Sequence, residues 1–226
     1  MKRVSFILVY YTLFHISSAA QVLMRDVFAA MPDSVMPLVS KNNRLDCIDF
    51  IENNMEAKVR NQLDEYVTLE ALTVDYARFR TSALAVMELK LLPTTDSTSV
   101  LCVVTTVQMG EEGTAQRMED SMIRFLDSDW SPLSPDSLRA FDENTYANIT
   151  FYIGEKSETP TGDFEQALRS LKDFHPLKMA LSADEASLTL TLQTAQLSKE
   201  EREAVNDYLF PLKLTWNGRR FVTSSH

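Results

Sequence analysis

Few side chains in this 226-residue chain could carry covalent chemistry. Its histidines are His15, His175 and His226, and a serine or cysteine nucleophile needs such a base within hydrogen-bond reach. His175 precedes Pro176, where a helical pattern gives way to a strand, and reads as a structural or surface residue. No SxxK sequence stands out as a Ser–Lys alternative. Cys47 and Cys102 are the only thiols, and three His with two Cys do not build the usual zinc sites. Asp127 and Asp129 flank Ser128 and could offer oxygen to calcium, but the full loop of spaced acids around a central glycine is absent. None of the five glycines forms GxGxxG or a P-loop, so no phosphate-cradling loop is expected, and no cofactor. Asp46, Asp49 and Glu52 follow one another at intervals of three, a spacing typical of a solvated helix flank, although Glu52 falls inside the apolar arc. Trp130 and Trp216, the two tryptophans, could form an aromatic platform for sugar or peptide, or stand as pillars of a core.

The elements that must position these residues are readable from their periods. Leu23, Val27 and Met31 mark a short helix ended by Pro32, and the two prolines of 32–37 set an ordered loop. After N-cap chemistry at Ser40–Asn43, Leu45, Ile48, Ile51, Met55, Val59 and Leu63 recur at the helical interval and predict one long helix, with Glu56 and Arg60 at i, i+4. From Val67 the period becomes two. Strands are expected over 73–80, 84–92 and 100–107, with Glu88 and Lys90 facing outward and Pro93–Ser97 turning a hairpin. A shorter strand covers 121–126, and Ser134-Pro135 opens a brief helix. Residues 148–155 alternate as a strand, 162–174 as a helix, and 177–181 and 188–194 as a second hairpin. Ser198 and Glu201 make a capping box. Asn217-Gly218, between strands 211–216 and 219–222, is the strongest hairpin signal.

Residues 89–106 lie on 177–194 without a gap. Leu89, Lys90, Asp96, Ser99 and Thr106 recur as Leu177, Lys178, Asp184, Ser187 and Thr194, with Trp130 nearly in step with Trp216. The expectation is an α+β fold of two similar antiparallel hairpin-based units with covering helices, arisen by internal duplication. The division would be 21–140 and 141–226, separate or as one continuous domain.

Residues 1–20 read as an address. Lys2 and Arg3 precede an apolar run over 4–16, and Ser18 and Ala20 suit signal-peptidase cleavage before Gln21. The run is too short to span a membrane, which takes about 20 residues, and no later segment is long and apolar enough. The mature protein is expected to be exported and soluble. An exported setting permits a disulfide, yet Cys47 in a helix and Cys102 in a strand read better as unpaired core thiols. The 32 acids against 22 Lys and Arg, with no basic run, argue against nucleic acid.

Met31-Pro32-Asp33-Ser34, Lys41-Asn42-Asn43-Arg44-Leu45-Asp46, Leu89-Lys90-Leu91-Leu92-Pro93 and Asp129-Trp130-Ser131-Pro132-Leu133, behind a signal peptide, resemble a family of uncharacterised exported proteins from Bacteroidales. The resemblance implies a periplasmic or outer-surface setting and brings no activity or catalytic residues. It also implies O-glycosylation at Asp-Ser sequences followed by a small or apolar residue. Of those at Ser34, Ser97, Ser121 and Ser137, Ser97 in a hairpin turn and Ser137 near a helix start best meet a glycan's need for solvent. Asn148-Ile149-Thr150 fits the N-linked pattern but opens an expected strand.

Two function classes follow. The first is a non-catalytic exported module that binds an envelope protein, a peptide or a glycan. The second is a hydrolase using carboxylates alone. An exposed patch would favour the first, and two facing carboxyls with separated pKa values the second.

Overall fold

The computed structural model describes residues 22–96, 98–110, 114, 117–133, 140–154 and 162–223. Two short helices come first, α1 (Met24–Ala29) and α2 (Lys41–Glu52). Six strands follow: β1 (Lys58–Arg60), β2 (Tyr66–Leu72), β3 (Tyr76–Ser82), β4 (Ala85–Pro93), β5 (Ser99–Met109) and β6 (Met118–Leu126). They pair in chain order as one antiparallel meander. Next come α3 (Glu143–Tyr146), a 3₁₀ turn over Ile149–Tyr152, and α4 (Gly162–Asp173). The rest is β7 (Leu177–Leu181), β8 (Ser187–Leu192), α5 (Lys199–Val205), β9 (Leu212–Trp216) and β10 (Phe221–Thr223). β7 to β10 form a second antiparallel sheet, ordered β10-β9-β8-β7. The architecture is α+β with two antiparallel sheets.

The helix expected over 45–63 is shorter. Ser40 caps its start by accepting from the Asn43 amide. Asn53 and Asn54 end it, Asn54 taking the left-handed conformation at φ 56° that asparagine tolerates. Beyond this stop Val59 belongs to β1, while Met55 and Leu63 are exposed. The face α2 buries is Arg44, Cys47 and Ile48. Arg44 donates to the carbonyls of Met31 (2.5 Å) and Val39 (2.6 Å) and pairs with Asp33 at 3.0 Å. One buried cation thus organises the proline loop. Glu52 is exposed and pairs with Arg25 of α1 at 2.7 Å. Glu56 and Arg60 share no helix: Glu56 faces Lys58, and Arg60 pairs with Asp64.

Each face of the six-stranded sheet is covered, so the alternation of β4 does not mean one dry side and one wet side. One face presents Leu69, Phe79, Leu89, Leu91, Leu101 and Val103 to α1 and α2, and this cluster ends with Trp130. The other presents Tyr76, Leu92, Cys102 and Val104 to the second sheet and α4. Glu88 and Lys90, expected outside, lie on this second face with 4% and 1% of their surface exposed. The second sheet buries a single face. Leu177, Met179 and Leu181 pair with Leu192, Leu190 and Leu188, and Leu188 pairs in turn with Leu214. Phe164, Ala167 and Leu171 of α4 pack into the same cluster. Residues on either side of position 140 therefore share one core.

Within the strand expected over 148–155, Ile149–Tyr152 form a 3₁₀ turn, and residue 155 lies outside the described residues. The Asn148 side chain accepts from the Thr150 amide at 3.1 Å and its hydroxyl at 2.9 Å, a local bond that outcompetes extended pairing. The two hairpins proposed as duplicates differ in register. Leu89 pairs with Val103, so the gap-free match would place Leu177 opposite Thr191, but Leu177 pairs with Leu192. Trp130 and Trp216 belong to different clusters, and duplication is not confirmed. Cys47 and Cys102 are free and buried, one in each cluster. No helix among the described residues is long and apolar enough to cross a membrane. The brief helix expected at Ser134-Pro135 lies outside the described residues, as does the segment expected to be a signal.

Candidate functional site

Three turns meet at one end of the two sheets and enclose a cleft of about 930 Å³. This is within the size range of small-molecule sites. The first wall is the β4–β5 turn. Asp96 accepts there from the hydroxyls of Thr94 (2.5 Å) and Thr98 (2.8 Å). These bonds, the Thr94 one first, hold the Asp96 carboxyl below its ordinary range. The second wall is the turn after β6. Asp127 accepts there from the amides of Asp129 (2.9 Å) and Ser131 (2.8 Å) through one oxygen, and it lines the cleft together with Ser128. The third is the β9–β10 hairpin. Asn217 accepts from the amides of Arg219 and Arg220, both at 3.0 Å, and the backbone turns through Gly218 at φ 90°. A Cβ at Gly218 would come within 2.9 Å of the Thr95 methyl, so this hairpin is set directly against the β4–β5 turn. Arg219 and Arg220 are exposed and have no carboxylate partner among the described residues.

Below the cleft Trp216 donates its indole N–H to the Pro93 carbonyl at 2.6 Å. Its ring stacks on Phe125 and meets Phe221 edge-on. Trp130 has 6% of its surface exposed and donates to the Val27 carbonyl at 2.9 Å; Trp216 has 7% exposed. Both indoles are buried with their one donor satisfied, as core pillars are. Ser97 and Ser137 lie outside the described residues. The Ser121 hydroxyl is engaged with Thr106 (2.8 Å) and the Met179 amide (2.9 Å), whereas Ser34 is exposed. The Nδ1 atom of His175 is buried without a hydrogen-bond partner.

A second polar group sits on the sheet face. Glu88 accepts from the Tyr76 hydroxyl at 2.6 Å and from Arg78 at 2.9 Å, and Glu70 takes Arg78 and Arg80, each at 2.7 Å. Lys90 pairs with Asp75 and donates to the Ala183 carbonyl, both at 2.9 Å, bridging the two sheets. Burial, then the bond to Glu88, raises the Tyr76 pKa. Each carboxylate in this lattice is matched to a cation, which suits fixing strand register rather than proton transfer. Among the described residues no three of His, Cys, Asp and Glu gather to hold a metal. The sequence singled out neither Arg219 nor Arg220 as a site residue, their one signal being the Asn-Gly turn beside them, and it placed Asp96 in a hairpin turn without a binding role.

The chain matches, over residues 15–221, the model of a family described as a protein of unknown function, DUF3256. It belongs to that family. Among solved structures it is similar to a domain of an uncharacterized protein from Porphyromonas gingivalis W83. Identity to that domain is 26%, the TM-score is 0.68, and the match covers 88% of this chain and 98% of the other. No curated protein matches. The family and its structural neighbour bring no activity, and the geometry of the cleft is the functional information available.

Proposed function

We propose that this member of the family is a non-catalytic exported binding or accessory protein of the cell envelope, and that its ligand enters the cleft between the three turns. The observation that carries this reading is the pair Arg219 and Arg220, exposed across the cleft from hydroxyls and carboxylates on a turn where the amides of Asn217, Arg219 and Arg220 are already hydrogen-bonded. Side chains so placed are available to a partner at no cost in broken internal bonds. The Lys2-Arg3 charge, the apolar run after it and the Ser18/Ala20 pair support export with cleavage before Gln21.

The test uses the protein made in its own organism. Fractionation should find it outside the cytoplasm, with Gln21 as its first residue. Cross-linking in the intact envelope should retain a partner or glycan, and the R219A/R220A variant should retain less. A full-length chain in the cytoplasm, or equal capture by the variant, removes the reading. The intact mass from the same preparation reports hexose on Ser97 or Ser137 as an excess over the bare chain.

A further inference from the structure

We infer that the cleft binds a short acidic oligosaccharide, a chain of sugars bearing at least one carboxylate, with the acid on the Arg219/Arg220 wall and ring hydroxyls on the opposite walls. The inference rests on the binding reading above and names its ligand class.

The cleft is bipolar. Arg219 and Arg220 stand on the β9–β10 hairpin, while Asp96 and Asp127 stand on the other two walls together with Thr95, Ser128 and further hydroxyls. Guanidinium groups donate in a planar fork that fits a carboxylate. Carboxylates only accept, and vicinal sugar hydroxyls are matched donors for them. An acidic sugar carries both complements on one small rigid unit.

A peptide fits less well. Peptides are commonly held by adding a strand to a free sheet edge, through main-chain bonds. Six amides of the rim turns are already bonded. Thr98 bonds to Asp96, Asp129 and Ser131 bond to Asp127, Arg219 and Arg220 bond to Asn217, and the Asn217 amide bonds to Arg220. What the rim presents is side-chain hydroxyl, carboxylate and guanidinium, the groups that read hydroxyls and isolated acids.

The test is titration calorimetry at low ionic strength on the full mature chain. The probes are tetragalacturonate and 3′-sialyllactose, with maltotetraose and tetraglutamate as neutral and peptide counterparts. At least one acidic sugar should bind, more tightly than maltotetraose and tetraglutamate. R219A/R220A should weaken it roughly ten-fold or more, the loss of one or two charge-assisted bonds. D127N, which keeps an oxygen for the turn amides, should weaken it by a smaller factor. Circular dichroism and melting show that each variant is folded. Absence of binding by both acidic sugars, binding unaffected by R219A/R220A, or equal or tighter binding of tetraglutamate overturns the inference. If the sugars fail while envelope cross-linking still returns an arginine-dependent protein partner, this ligand class falls and the binding function stands.

Discussion

Gly218 and Thr95 approach so closely that no side chain fits between their hairpins, the Thr95 methyl lying 2.9 Å from where a Cβ would stand. Gly218→Ala therefore meets two penalties, the contact and the positive φ of 90°. A loss of about 1–3 kcal/mol is expected in urea unfolding. Thr95→Ser in the same chain removes the clashing methyl and should recover the contact part alone, so the double-mutant cycle should be non-additive.

Trp216 links the end of β4 to the last strands through the Pro93 carbonyl. Trp216→Phe keeps a ring among Phe125 and Phe221 but leaves that carbonyl unpaired, a loss of roughly 1–2 kcal/mol. Trp216→Ala also opens a cavity and should lose about 3–5 kcal/mol. Denaturant midpoints with unchanged slopes would give both values, and Trp216→Phe should also alter ligand binding at the cleft above it.

Arg44→Met should be among the most damaging single changes. It leaves the carbonyls of Met31 and Val39 buried without their donor, and about 3–5 kcal/mol is expected from thermal unfolding. Arg44→Lys, with one compact charge in place of a fork, should recover only part.

The thiols should be silent. Burial raises the Cys47 pKa to about 11 and the Cys102 pKa well above its ordinary value. Native protein should react slowly with a disulfide reagent at pH 8, and both thiols should react at once in denaturant. A non-reducing mass two daltons light would contradict the free, separate thiols.

Glu119 of β6 meets Lys178 of β7. Burial works to raise its pKa, but the Lys178 bond and charge, with Gln108 and Arg117, outweigh burial and hold it below the ordinary value. A depressed folded-state pKa stabilises above the unfolded value of about 4.3, and that contribution is lost as pH falls through the folded value. The stability gap between the wild type and Glu119→Gln should be constant near neutrality and shrink below about pH 4, as read by urea midpoints across pH.

Much of the strand pattern was legible because alternation and turn chemistry are local. The Ser198–Glu201 capping box stands where its residues imply, and a hairpin does turn at Asn217-Gly218, but through four residues, so that the return strand starts at Phe221 and leaves Arg219 and Arg220 in the turn. The α2 period misled because Met55 and Leu63 match the interval by chance, while the asparagine pair that stops the helix is a weak signal without glycine. Residues 148–155 alternate like a strand, yet two bonds accepted by the Asn148 side chain favour the turn over Ile149–Tyr152. Glu88 and Lys90 looked outward because their pairing with Arg78 and Asp75 depends on neighbouring strands, which one strand cannot reveal. The cleft was illegible for the same reason, since it joins turns about 120 residues apart in the chain.

The two cores also differ in when they can exist. Every residue of the cluster under α1 and α2 lies between Met24 and Trp130, whereas the other needs residues as late as Phe221. A chain that emerges from its N-terminus can close the first core while the second is still missing half its wall. During that interval Leu92, Cys102, Val104 and Phe125 offer an uncovered apolar sheet face to the surroundings. The exposed moment in this protein's folding is therefore the delay before its last hundred residues arrive.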